Sequence, residues 1–213
     1  MDGATLQQRV YYGYAQAAQR IGLPFSQYRP TSASNPLQTV LATLTASFNA
    51  LDMKYSKPNG YARPTWYCLA DGRLLKVGDY LTGNGSTYFI AAMQPLLPIL
   101  AVKCNRTVTV YRPQQESGVG AVGYGGNTQA NQRAIVTAFP ASVLLATKAE
   151  NGPVNLPGDV RAAWANLLLP PIPGGVTILD HDVVTDDIGG RYIVSGAELT
   201  ELGWRCTMQE SES

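Results

Sequence analysis

Residues 78–103, GDYLTGNGSTYFIAAMQPLLPILAVK, and residues 181–207, HDVVTDDIGGRYIVSGAELTELGWRCT, read as one small motif written twice. With one residue of slippage in the turn, Asp79 aligns with Asp182, Thr82 with Thr185 and Tyr88 with Tyr192. Phe89-Ile90 then falls on Ile193-Val194, and Leu100 on Trp204. Each copy runs strand, polar Gly-rich turn, strand, short link, strand. Two copies are too few for a solenoid. They predict two related β-units, the alternative being two ordinary hairpins alike by chance. Neither copy carries catalytic chemistry, so the motif is architecture.

Around it lies a chain of 213 residues, enough for one large or two small β-domains. Charged residues make up 15%, below the roughly 25% usual in globular proteins. A chain so poor in charge is expected to bury surface in an assembly. The net charge of +1 hides a split. Residues 1–113 hold 11 Lys/Arg against 4 Asp/Glu, and residues 114–213 hold 5 against 11. Such a split is either an accident of solvation or the means by which one half meets the other half of a neighbouring copy. No Lys/Arg run is dense enough for a nucleic-acid groove. Three cysteines, Cys68, Cys104 and Cys206, without CxxC spacing argue against a disulfide framework or zinc site and predict buried thiols. The opening MDGATLQQRV lacks a signal peptide's basic and apolar regions, and no apolar stretch approaches the roughly 18 residues of a spanning helix. The expected compartment is a cytoplasm.

Along the chain, one helix is predicted over Ala4–Ile21, capped by Asp2, with Leu6, Val10, Tyr14, Ala17 and Ile21 on one face. Gly22 is expected as a left-handed cap, and Pro24 as a stop. Residues 25–36 should be extended. Alternation over 39–50 predicts a half-buried strand. Further strands are expected at 65–69, 74–81, 88–93, 99–103, 107–112, 134–139, 142–146, 164–169, 176–184, 192–195 and 204–208. Loops are expected at 52–64 and 147–159. The glycines from Gly118 to Gly126, followed by NTQANQR, predict a mobile loop or arm. The implied organisation is an N-terminal helix and arm over 1–36, a first β-unit over 37–113, the Gly-rich segment over 114–133 and a second β-unit over 134–213. The fold class is mainly β, with two related barrel-like or sandwich-like units behind an N-terminal helix.

Candidate chemistry is sparse. Gly118-Val119-Gly120-Ala121-Val122-Gly123 satisfies GxGxxG, but poor helix formers follow it and no acid lies between Glu116 and Glu150, so a dinucleotide fingerprint is not met. His181, the single histidine, sits between Asp180 and Asp182 without a recognisable nucleophile motif and reads as a turn residue. Asp180, Asp182, Asp186 and Asp187 could face a hard cation, yet their spacing fits no EF-hand and solvated turn acids are the better reading. Glu198 and Glu201 are a carboxylate pair of the kind a glycosidase uses, without a feature that singles them out. Trp66, Trp164 and Trp204 are scattered, as core and interface residues are. No catalytic, cofactor-binding or metal residue is assigned.

Val77-Gly78-Asp79 … Gly85 … Tyr88-Phe89-Ile90 and Asp182-Val183-Val184 … Gly189-Gly190-Arg191-Tyr192-Ile193-Val194 resemble the hairpins of tailed-bacteriophage neck proteins, the small β-barrel head-closure, stopper and collar components between portal and tail. Leu6-Gln7-Gln8-Arg9 … Ala17-Ala18 … Gly22 … Tyr28-Arg29-Pro30 is similar to the short helix that precedes such a barrel. The resemblance spans about half the chain. It implies a virion structural protein, assembled in the bacterial host cytoplasm, that forms a homo-oligomeric ring, hexameric or dodecameric. Its implied partners are itself, the portal and the tail proteins, with DNA only as passing cargo. It implies no membrane, no cofactor and no turnover. Interface candidates are Arg9, Arg20 and Arg29 on the basic side, Asp186, Asp187, Glu198 and Glu201 on the acidic side, and Gly118, Gly120 and Gly123 in the Gly-rich segment. The competing class is a tail-tip or baseplate-associated glycan-binding module or hydrolase, with a pocket built from residues 52–64 and 117–133.

Overall fold

Period-two alternation gives each strand one apolar face, and a sheet of six such strands buries all of those faces at once by closing on itself. The chain does this twice. A computed structural model of the protein describes residues 2–49, 60, 63–113, 131–145 and 164–211. Among them, α1 (Gly3–Ile21) precedes β1 (Leu23–Tyr28), β2 (Val40–Asn49), β3 (Thr65–Leu69), β4 (Tyr80–Gly83), β5 (Ser86–Ala92) and β6 (Ile99–Cys104). Then come β7 (Arg106–Pro113), β8 (Gln132–Leu145), β9 (Trp164–Leu169), β10 (Val183–Asp186), β11 (Arg191–Thr200) and β12 (Gly203–Glu210). The first six close into an antiparallel barrel in the order β1-β2-β3-β6-β5-β4, and the last six repeat it as β7-β8-β9-β12-β11-β10. The fold is mainly β, two related barrels behind an N-terminal helix.

The repeat holds at the level of register. Tyr80 pairs with Phe89 and Leu81 with Tyr88 in the first barrel; Val183 pairs with Ile193 and Val184 with Tyr192 in the second. A bulge falls between Ile90 and Ala92 in one and between Val194 and Gly196 in the other. The aligned hairpins are therefore equivalent, with one correction. Leu100 pairs with Ala92, and its counterpart, opposite Gly196, is Thr207 rather than Trp204. The second hairpin is longer, which shifts Trp204 three residues out of line.

Phe25, Leu44, Cys68, Leu81, Tyr88 and Ile90 fill the first barrel, with Phe48 stacked on Tyr88 at 3.7 Å. Val108, Val110, Val136, Phe139, Leu167, Val184 and Met208 fill the second. Tyr80, Phe89, Ala91 and Val102 belong to β4–β6 of the first barrel but pack with the second barrel's cluster. Tyr80 meets Phe139 edge-on at 6.4 Å, and its hydroxyl donates to the Pro140 carbonyl at 2.8 Å. The β1–β2 connection also reaches across: the Thr137 amide donates to Ala33 and the Asn35 amide to Thr137, each at 2.9 Å.

Several expectations need correcting. The barrels divide at Asn105, the one residue between β6 and β7. Thus β7 opens the second barrel instead of closing the first, and Leu23–Tyr28 is the first barrel's opening strand instead of an arm. The Gly-rich segment joins β7 to β8 within the second barrel; Gly118, Gly120 and Gly123 lie outside the described residues, as do the loop at 147–159 and most of that at 52–64. The two strands expected at 134–139 and 142–146 are one bent strand, β8, with Ala138 at φ 55°. Residues 74–79 and 176–182 hold irregular turns whose apolar residues Leu75 and Ile178 are buried anchors. On α1, Asp2 caps as expected, accepting from the Thr5 amide at 2.7 Å. The buried positions, however, are Tyr11 and Ala18, so Leu6 and Ile21 are left exposed. Gly22 is extended, with φ −90°, and is needed for space: a Cβ there would sit 2.6 Å from the Ala18 oxygen and 2.7 Å from that of Ala46.

Candidate functional site

In each barrel a buried carboxylate sits where β4 meets the end of β1, or β10 the end of β7. In the first barrel, the turn before β4 places Gly78 at φ 89° and delivers Asp79, of which 1% of the side chain is exposed. Asp79 Oδ1 accepts from Arg29 Nε at 2.7 Å. Oδ2 accepts from Arg29 Nη2 at 2.7 Å, Gln27 Nε2 at 2.7 Å and the Lys76 amide at 2.8 Å. Arg29 Nη2 also donates to the Leu74 carbonyl at 3.1 Å. The second barrel repeats this. Arg112 Nε and Nη2 donate to Asp182 Oδ1 and Oδ2 at 2.9 and 2.8 Å, the Leu179 amide donates to Oδ2 at 2.8 Å, and Nη2 reaches the Thr177 carbonyl at 2.7 Å. Hydrogen bonding to these carboxylates raises the pKa of both guanidiniums further. Each arginine keeps about a third of its side chain in water.

This geometry fixes what the site can do. Both oxygens of each aspartate are engaged in the planar fork that suits a guanidinium, and such a pair ties chain segments together. It leaves neither carboxylate placed as a proton acceptor or metal ligand. His181 takes the place of Gly78: its φ is 72°, and its amide donates to Val194 as that of Gly78 does to Ile90, both at 2.8 Å. It is a turn residue.

The two arginines lie in a short sequence repeat of their own. Tyr28-Arg29-Pro30 recurs as Tyr111-Arg112-Pro113, and the registers Tyr28↔Tyr80 and Tyr111↔Val183 make the two equivalent. Arg29 was expected to be an interface charge, yet its charge is committed within the chain.

Asp186 has no exposed side-chain surface and closes the β10–β11 turn. It accepts from the Gly190 amide at 2.6 Å and the Ile188 amide at 3.2 Å, with Arg106 at 3.8 Å, so it too departs from the expected solvated acid. Asp187 is exposed, with a long contact to the Thr107 amide at 3.3 Å. Arg9 and Arg20 are exposed on α1, and Glu198 and Glu201 on the β11–β12 hairpin. Hollows of about 670 Å³ beside Arg112 and about 460 Å³ beside Arg29 include none of these four residues. Burial pushes the Cys206 thiol up to about 12, and Cys68 and Cys104 higher still, so all three stay protonated at neutral pH, unlike nucleophilic cysteines. Among the described residues, no group of three or more His, Cys, Asp or Glu could hold a metal ion, and no helix is long and apolar enough to cross a membrane.

No protein-family model, curated protein or solved structure matches this chain.

Proposed function

We propose that the protein is a virion structural component of a tailed bacteriophage, a neck or collar subunit that forms a ring and links the capsid portal to the tail. The observation that carries this reading is the use to which the reactive side chains are put. Asp79, Asp182 and Asp186 are spent on internal fastening, the thiols are held protonated, and the histidine serves a turn. Among the described residues, what remains is surface, presented by two closed barrels whose strands leave no free sheet edge to pair at random. Unlike faces meet inside the chain, β4–β6 of one barrel against β8 of the next, and contact between other unlike faces closes copies into a ring when the rotation permits. The resemblance of the two hairpins to those of neck proteins supports a place between portal and tail, with collar, head-completion and tail-completion levels all compatible with it.

Native mass spectrometry of the purified protein, alone and with its portal, tests this. A ring of defined order that binds the portal is expected, and a nonsense mutation in the gene should leave filled heads and tails unjoined. A protein that stays monomeric at every concentration and is dispensable for joining heads to tails would overturn the reading.

A further inference from the structure

The joint between the barrels cannot simply be repeated from copy to copy. Its first-barrel side is apolar: Phe89, Ala91, Leu100 and Val102. The registers place Ile193, Ser195, Thr207 and Gln209 at the corresponding positions of the second barrel, where Ser195 and Gln209 are exposed. Val183, the counterpart of Tyr80, stays buried, but the rest of that face is polar or part-exposed. A contact between copies must therefore use surfaces that the repeat does not share, and two stand out. One is the outer stripe of α1. Leu6, Arg9, Gly13, Gln16 and Arg20 recur at spacings of three and four, opposite the buried Tyr11 and Ala18. The helix holds no acid between Gly3 and Ile21, Leu6 is 41% exposed, and Gly13 leaves room for a side chain to approach. The other is the β11–β12 hairpin tip, where β11 runs ten residues against seven in its counterpart β5. It raises Leu199 and Leu202, 57% and 41% exposed, beside Glu198 and Glu201.

We infer that copies of this chain join head to tail by seating the β11–β12 tip of one on the α1 stripe of the next, leucines against Leu6 and the gap at Gly13, and Glu201 toward Arg9 or Arg20. The inference rests on the ring reading above and names its contact. The tip carries two exposed leucines beside two acids, the stripe carries Leu6 and the open Gly13 beside two arginines, and the charges are opposite. Glu198 stands across the hairpin from Arg205, so Glu201 is the acid to vary without disturbing the tip.

The test is the association of full-length variants, followed by sedimentation velocity at low and high salt, with thermal melts confirming that each folds. Glu201→Arg should weaken ring formation on the order of tenfold at low salt and less at high salt, and Leu199→Asp/Leu202→Asp should abolish it. Arg9→Glu/Arg20→Glu should weaken it similarly, and combining that change with Glu201→Arg should restore it. Rings from the folded wild type and from all these variants alike would overturn the inference and leave the neck reading standing. A wild type that never associates would overturn both.

Discussion

A carboxylate buried at the mouth of a barrel must have its lone pairs answered, because an ionised acid left alone there costs several kcal/mol. Asp79 is answered by Arg29, Gln27 and the Lys76 amide, and Asp182 by Arg112 and the Leu179 amide. Each aspartate thereby fastens the turn before one strand to the end of its neighbour. Changing Asp79 or Asp182 to Asn would turn an amide N–H₂ toward groups that themselves donate. Each substitution should lower the unfolding free energy by about 3 kcal/mol, the low end for a broken buried pair because the arginine is partly solvated. Arg29→Lys should cost less, since an ammonium keeps the charge but loses the fork. Urea titrations of the three variants check this, and a loss under about 1 kcal/mol for Asp79→Asn would show that the clamp does not hold the turn. At position 181 the backbone uses the left-handed region that Gly78 occupies without penalty, so the histidine bears a backbone strain that glycine avoids in the first barrel.

At the scale of elements, the seating of α1 depends on one glycine. The Tyr11 ring lies directly against Gly72, where a Cβ would overlap it. Gly72→Ala should lift the helix, destabilise the fold by about 1–3 kcal/mol and speed tryptic cleavage after Arg9 and Arg20. Tyr11→Ala added to Gly72→Ala should cost little more, because both remove the same contact. This explains why the helix was legible but its phase was not. Apolar residues lie on two sides of α1, and the choice between them rests with Gly72, far away in sequence. The paired hairpins were legible because their alternation and Gly turns are local. The paired Tyr-Arg-Pro segments were not, because they lie 83 residues apart and the hairpins 103 apart. Longer connections within the second barrel break any single offset. Residues 74–79 and 176–182 look like strands because they are apolar, but their apolar side chains anchor the turns that bring in Asp79 and Asp182.

For the whole molecule, the division at Asn105 changes the meaning of the charge split. Counted by barrel, residues 1–105 hold nine Lys/Arg against four Asp/Glu, and residues 106–213 seven against eleven. Arg106 and Arg112 move to the acidic side, where they pair with Asp186 and Asp182. The charge asymmetry between the barrels is thus smaller than that between the sequence halves. Burial joins the barrels. Asn105 is pinned to β8 through the Ala141 carbonyl at 2.9 Å and both polar groups of Val143 at 2.8 Å, and Tyr80 is buried between the two barrels. Two barrels sharing one apolar cluster should melt as one unit, with equal calorimetric and van't Hoff enthalpies. Tyr80→Ala opens a cavity at the joint and orphans the Pro140 carbonyl, which should cost about 3–5 kcal/mol and split the melt into two transitions. Tyr80→Phe, which keeps the packing and loses only the hydrogen bond, should still melt in one. Two transitions in the wild type would mean that the joint does not couple the barrels, and a ring built from this chain would then flex between them.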